Sequence, residues 1–193
     1  MELLERARAL KEIGFFGPGL TESPEELCRM VEEDPPCDPD HAPATALLLA
    51  AERVLEIPAE AAMEPEDFED LLARIQEFCG GVFTVSELRA VPMDGPGGEA
   101  APPRFIRLRF KLDNKRYETD LACYDDMVDL GFLQEIEEHL AGSGEPRRLC
   151  PLVELMDDTA RYVFIEPEKM EKAELEQIIT SPDFEEELEE PED

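Results

Sequence analysis

The chain has 193 residues, with 49 Asp and Glu against 18 Lys and Arg, which gives a formal net charge of −31. A surface this acidic repels phosphates, so neither a nucleic acid nor a membrane is expected as a partner. No apolar run reaches the length of a membrane span, and the N-terminus lacks the pattern of a signal peptide. We therefore expect a cytoplasmic protein.

Apolar residues at helical spacing predict four helices in the first 80 residues. The predicted helices span residues 2–12, 24–33, 44–56 and 65–79. Ser23 is a suitable cap for the second helix, and Pro24 suits its first position. The fourth helix has the clearest pattern, because its apolar residues repeat every three or four positions before Gly80 and Gly81 end it. These residues are Phe68, Leu71, Leu72, Ile75 and Phe78.

Beyond residue 80 the pattern changes to the alternation of β-strands. Strands are predicted at 82–91 and 105–112, with a tight turn at Asp113-Asn114 and a return strand after it. In the second strand, Ile106, Leu108, Phe110 and Leu112 alternate with Arg107, Arg109 and Lys111. A helix is then predicted at 126–141, a hairpin from 148–156 and 161–166, and a last helix from Pro167. Its inward-facing residues are predicted to be Met170, Leu175, Ile178 and Ile179.

This order predicts an α+β fold in which N-terminal helices precede an α-β-β-β-α-β-β-α unit with antiparallel sheet. We divide the chain into an N-terminal helical region (1–63), an α+β domain (64–181) and an acidic tail (182–193). The break near residue 63 is weak, so one continuous domain over 1–181 is the alternative. Residues 166–193 carry 13 acidic and 2 basic side chains, which is why the end of the chain is singled out.

The cysteines and histidines predict no metal site. The five cysteines are odd in number and widely separated, which favours buried, reduced thiols. The spacing of Cys28, Cys37 and His41 matches no common zinc site and lacks a fourth ligand. His139 falls late in a predicted helix, where we interpret it as a surface histidine that complements the helix dipole. No cofactor is expected.

Four aspartates, Asp120, Asp125, Asp126 and Asp129, surround the start of the helix predicted at 126–141. Paired carboxylates could hold a divalent cation or serve as acid and base, so a metal-dependent enzyme is one alternative. The simpler interpretation is negative charge at a helix N-terminus. Because no catalytic motif is present, we predict no catalytic residues and no enzyme.

A basic strand surface contrasts with this acidic chain. Its six cations, between residues 104 and 116, are Arg104, Arg107, Arg109, Lys111, Lys115 and Arg116. We expect them to pair with acids on neighbouring strands or with the acidic tail. Such exposed pairs contribute only about 0–1 kcal/mol each.

Three stretches between about Phe83 and Glu168 carry a resemblance to a known class of proteins. They read RFIRLRFKLDNKRYETDL, then YDDMVDLGFLQEIEEHL, then LCPLVELMDDTARYVFIEPEKM. An amphipathic hairpin, a helix entered through acids and a second hairpin resemble the small acidic immunity proteins that bacteria use against contact-dependent and type VI secreted toxins. The resemblance covers under half of the chain and implies one-to-one inhibition of a basic toxin.

We therefore expect an acidic binding protein that neutralises a basic protein partner. The candidate contact residues are Asp125, Asp126, Asp129, Glu135, Glu137 and Glu138. A secretion chaperone or adaptor dimer, with an apolar groove that uses Phe15, Phe16 and Leu20, is the first alternative, and the metal-dependent enzyme is the second. Adaptation to a salty cytoplasm would also produce such a surface without any partner.

Overall fold

A computed structural model describes residues 1–17, 19–58, 66–93, 104–123, 129–155 and 157–180. Within these residues the chain forms helices and strands in mixed order. The helices are α1 (Leu3–Ile13), α2 (Pro24–Glu33), α3 (Pro43–Ala50), α4 (Asp67–Phe78), α5 (Phe132–Ser143) and α6 (Pro167–Leu175). The strands are β1 (Leu55–Pro58), β2 (Val85–Met93), β3 (Arg104–Leu112), β4 (Lys115–Cys123), β5 (Arg148–Leu152) and β6 (Thr159–Ile165).

The strands form two antiparallel sheets, with the orders β1-β6-β5 and β2-β3-β4. The predicted α+β class is confirmed. The predicted order after the N-terminal helices is also confirmed, since α4-β2-β3-β4-α5-β5-β6-α6 follows it element by element. Strand β1 is an addition that the sequence pattern did not predict.

Several local predictions are confirmed. Ser23 Oγ accepts a hydrogen bond from the Glu26 N–H at 3.2 Å, and Pro24 opens α2. The alternating residues of β3 are buried as expected. The turn between β3 and β4 is formed by Asp113 and Asn114, with Asp113 at φ 53°. Strand β2 begins at Val85 rather than Val82, because Phe83 enters the core and Thr84 contacts the β3–β4 turn.

The helix predicted over 44–56 is wrong in its second half. Helix α3 ends at Ala50, and the chain turns at Glu52, whose φ of 53° is left-handed. The Arg53 N–H donates to the Leu48 carbonyl at 2.8 Å and closes this helix end. Leu55–Pro58 then pairs with β6, because an extended conformation buries the side chains of Leu55 and Ile57 in a sheet.

The start of α5 and the end of α6 also differ from the prediction. Helix α5 begins at Phe132 rather than near residue 126, with Gly131 at its N-cap. Leu175 is 77% exposed, so the prediction that it faces inward is wrong. Gln177 takes a left-handed φ of 55°, and this turn brings Ile178 and Ile179 into the core after α6 has ended.

Two apolar cores lie on opposite faces of the β1-β6-β5 sheet. We call the core that contains α1, α2, α3 and α6 the first core, and the core that contains α4, α5 and the β2-β3-β4 sheet the second core. Strand β6 supplies Val163 and Ile165 to the first core, while Tyr162 and Phe164 pack against the second. The pairing of β1 with β6 crosses the boundary predicted at residue 63. The predicted tail, 182–193, lies outside the described residues.

Burial keeps the described thiols in the neutral form. Cys28, Cys37, Cys79 and Cys150 are free, and Cys37 alone among them is not fully buried. Desolvation raises the pKa of Cys79 to about 12 and that of Cys150 to about 11. The prediction of buried, reduced thiols is confirmed for Cys28, Cys79 and Cys150.

Candidate functional site

The predicted contact residues of the α5 region differ in what their carboxylates bind. Asp125 and Asp126 lie outside the described residues. Asp129 closes the loop between β4 and α5: its carboxylate accepts the Ala122 N–H at 3.0 Å and the Gly131 N–H at 2.8 Å. Asp129 therefore lies before the helix, rather than in its first turn, and satisfies backbone donors.

Glu137 is turned toward strand β5. Its carboxylate accepts the Leu149 N–H at 2.8 Å and lies 3.7 Å from the Arg148 guanidinium. Partial burial raises the pKa of Glu137, an effect opposed by these two neighbours. These contacts use the carboxylate to join α5 to the β1-β6-β5 sheet.

Glu135 and Glu138 are the two predicted contact residues whose carboxylates accept no hydrogen bond from the described residues. Their charges still reach Lys115, whose pKa is raised by Tyr117 first and then by Glu138 and Glu135. They lie three residues apart on α5, so they share one side of the helix. Glu138 is exposed and Glu135 is half-exposed. Neither carboxylate forms a hydrogen bond or an ion pair with the residues that the structure describes.

Helix α4 carries a second acidic stripe that the sequence reasoning did not identify as a site. Glu66, Glu69 and Asp70 are exposed, and their carboxylates make no ion pair within the described part of the chain. Their spacing places them opposite the buried face of Phe68 and Leu71. From the sequence, only the apolar face of this helix was interpreted. The common helical face of the three acids was the signal that could have found the stripe.

The cations of the basic strand surface are mostly paired within the sheet. Arg107 donates to both oxygens of Asp120, at 2.7 and 2.8 Å. Arg109 pairs with Glu118 on β4. The two hydrogen bonds from the Arg107 guanidinium lower the pKa of the Asp120 carboxyl. The prediction that these cations pair with acids on neighbouring strands is confirmed for Arg107 and Arg109.

Two pairs of like charges remain directly opposite each other on the same sheet. Arg89 lies across from Arg109, and Lys111 lies across from Arg116. Glu87, in the β-bulge of β2, is shared: it pairs with Lys111 and lies 3.9 Å from Arg116. The result is a locally basic surface on an otherwise acidic protein.

His139 is not a surface residue. Its side chain is 11% exposed and joins α5 to the β3–β4 hairpin. Nε2 lies 2.9 Å from a carboxylate oxygen of Asp113, and Nδ1 lies 3.1 Å from the Tyr117 hydroxyl. The Phe83 ring packs edge-on against the imidazole, at 6.3 Å between centroids. The interpretation as a surface histidine is therefore wrong.

The structure also shows where the residues suggested for a metal site and for an apolar groove lie. Asp120 pairs with Arg107 and Asp129 binds backbone, and no group of three or more His, Cys, Asp or Glu among the described residues could hold a metal. His41 pairs with Asp38 at 2.8 Å. Phe15 and Phe16, suggested for an apolar groove, are buried in the first core. That placement removes them as an exposed docking surface.

The sequence matches no family model, and it is significantly similar to no curated protein and no solved structure. Among the described residues, no helix is both long enough and apolar enough to cross a membrane.

Proposed function

We propose that this chain is an acidic cytoplasmic binding protein that neutralises a basic protein, and that it acts as an immunity protein against a secreted bacterial toxin. The observation that carries the proposal is the way charge is distributed over the described residues. Most lysines and arginines there have a carboxylate within 4.0 Å, while Glu66, Glu69, Asp70 and Glu138 are exposed and form no ion pair with the described residues. The negative excess is therefore left at the surface, where a cationic partner can reach it.

This arrangement suits fast association with a basic cleft. A field from many carboxylates steers a cationic protein toward the acidic surface and raises the association rate, an effect that salt screens. Glu135 and Glu138 on α5 are the central candidates for the contact. The acids of the α4 stripe, Glu66, Glu69 and Asp70, are a second contact area. Inhibition would result from covering the partner's active site, and no reaction by this chain is required.

The proposal is tested by capture and then by mutation. The tagged full chain is incubated with lysate of its own host, the captured protein is identified, and its binding is measured at 50 and 300 mM NaCl. We expect a basic partner whose association rate falls as salt rises. The pair of substitutions Glu135→Gln and Glu138→Gln should weaken binding roughly tenfold, about 1.4 kcal/mol.

A matched control neutralises two exposed acids elsewhere. Glu171 and Glu174 lie three residues apart on α6, like the α5 pair, and Glu171→Gln with Glu174→Gln should leave affinity within twofold. Equal losses from both double variants would refute a contact at α5. A partner without net positive charge would refute the proposed function. A stable dimer in light scattering would favour the adaptor alternative instead.

A further inference from the structure

A cleft of about 570 Å³ lies beside the β1-β6-β5 sheet, where one end of each of several helices comes close to strand β6. Its walls come from the end of α1, the turn between α3 and β1, the end of α4, strand β6 and the start of α6. Three cations and three aromatic rings face it: Arg53, Arg147 and Lys169, with Phe15, Phe78 and Phe164. None of these residues belongs to the acidic surface described above.

Two of the three cations are already paired. The Arg147 guanidinium lies over the Phe164 ring, 4.5 Å from its centroid, and Arg147 Nε is 2.7 Å from Glu145 Oε1. Lys169 Nζ lies 2.9 Å from Glu166 Oε1. These contacts fix both side chains, so the Arg147 guanidinium stacked on the Phe164 ring and the Lys169 ammonium form parts of a preformed wall.

Arg53 is different. Its Nε is buried and has no hydrogen-bond partner, and its guanidinium forms no ion pair with any residue that the structure describes. Arg6 Nε is the other buried guanidinium nitrogen that lacks a partner among the described residues, and unlike Arg53 it belongs to a side chain with a carboxylate, that of Glu154, at 4.0 Å. A buried donor without an acceptor is unfavourable, and a guanidinium offers a planar fork that matches an oxyanion.

The backbone holds Arg53 at this place. The preceding residue, Glu52, adopts a left-handed φ of 53°, and the Arg53 N–H is fixed by the Leu48 carbonyl at 2.8 Å. The side chain therefore leaves the end of α3 in a set direction toward the cleft. Pre-organisation of this kind reduces the entropy that is lost when a ligand binds.

We propose that this cleft binds a small organic monoanion, a carboxylate with an apolar body. The carboxylate accepts hydrogen bonds from the Arg53 guanidinium, and the apolar body packs among the aromatic side chains of the cleft. The acids that also line it, Glu52, Glu77 and Glu166, equal the three cations in number. They disfavour a dianion such as a phosphate monoester, and they disfavour a polyanion even more, which selects a singly charged ligand.

The test uses the full chain and three probes at matched ionic strength: sodium benzoate, sodium acetate and inorganic phosphate, with sodium chloride as the reference. Thermal unfolding and isothermal titration measure binding. We expect benzoate to raise the unfolding temperature and to bind more tightly than acetate or phosphate. No binding of benzoate up to about 10 mM, or tighter binding of phosphate, would overturn the proposal.

Variants locate the site. Arg53→Gln should weaken benzoate binding at least tenfold. Arg89→Gln, which removes an arginine of the β2-β3-β4 sheet that lies away from the cleft, should leave it unchanged. Equal effects of the two variants would contradict the assignment. Should Arg53→Gln fail to fold, amide shifts of the unmodified chain give the same answer: benzoate must perturb Arg53, Phe78 and Phe164 and leave Arg89 unmoved.

Discussion

Glu154 caps the N-terminus of α3 although it lies 109 residues from Thr45 in the chain. Its carboxylate accepts the Thr45 N–H at 2.7 Å and the Thr45 hydroxyl at 2.9 Å. Ala42, the N-cap residue of this helix, has no side chain that could do so. The other oxygen accepts both donors of Thr180, at 3.1 and 3.2 Å. One carboxylate thus fixes α3 to the segment after α6.

Glu154→Gln should therefore destabilise the protein strongly. The carboxylate is fully buried, and Arg6 lies 4.0 Å from it, with 7% of its side chain exposed. The amide offers one acceptor where two were used, and it leaves Arg6 without its countercharge. We expect a loss of about 3 kcal/mol in the free energy of unfolding. Urea denaturation measures it, and the exposed Glu171→Gln should stay within about 0.5 kcal/mol.

Glu52→Gly should stabilise the protein by about 0.5–1 kcal/mol. Glu52 occupies a left-handed position after α3 that glycine adopts without steric cost. The same change at Glu171, an exposed position inside α6, should instead cost about 1 kcal/mol. Thermal unfolding of both variants shows whether each substitution raises or lowers the stability of the protein. Destabilisation by Glu52→Gly would show that the Glu52 side chain contributes more than its backbone strain costs.

Tyr117→Phe should cost about 1–2 kcal/mol, because it removes the hydroxyl that contacts Nδ1 of a largely buried His139. The ring itself, stacked on Phe110 at 5.8 Å between centroids, stays in place. Tyr162→Phe is the matched control, since its hydroxyl makes no hydrogen bond with a described residue, and it should be nearly neutral. Chemical denaturation of the two variants is the measurement. Equal stability of both would contradict a structural role for the Tyr117–His139 contact.

Arg89→Glu should stabilise the β2-β3-β4 sheet by about 0.5 kcal/mol. It replaces a like-charge pair across from Arg109 with an opposite-charge pair. Because the site is exposed, the gain should shrink as salt rises from 50 mM to 1 M. Denaturation at both salt concentrations tests this. A gain that does not depend on salt would point to a cause other than charge.

The raised pKa of the buried Cys79 thiol predicts that the protein loses stability at alkaline pH. Its folded pKa of about 12 lies above the ordinary value of 9.0, so the unfolded chain ionises first as pH rises. Stability from this group is complete below pH 9 and is lost toward pH 12, by at most about 1.4 kcal/mol per pH unit. Cys79→Ala should flatten the decline between pH 9 and 11. Parallel pH profiles of the two proteins would refute it.

Elements with a strong local period could be predicted closely. Helix α4 begins and ends within two residues of the expectation, because its apolar stripe is regular and Gly80 follows it. The β3–β4 hairpin was predictable from alternation and from the Asp113-Asn114 turn. For α5, the presence of a helix up to about residue 141 was correct, but its start was predicted too early because residues near 126 resemble an acidic first turn.

The errors arise where a residue acts against its local preference. Helix α3 was predicted through residue 56 because Glu52, rather than a glycine, occupies the left-handed position that ends it. The buried role of His139 depends on Asp113 and Tyr117, which lie on another element. Of the candidate contact residues, Glu137 was expected to be free, but a strand that follows in the chain takes its carboxylate.

Composition alone was enough to establish the surplus of carboxylates. Local periodicity was enough to establish the α+β class and the element order after residue 64, since both depend on neighbours a few positions apart. The tertiary structure alone decided that 55–58 is a strand, that Glu154 caps α3 and that Arg53 lines a cleft while its Nε has no hydrogen-bond partner among the described residues. The physical reason is that each of these results depends on donors, acceptors or apolar surface supplied by distant parts of the chain, and only folding brings them within contact.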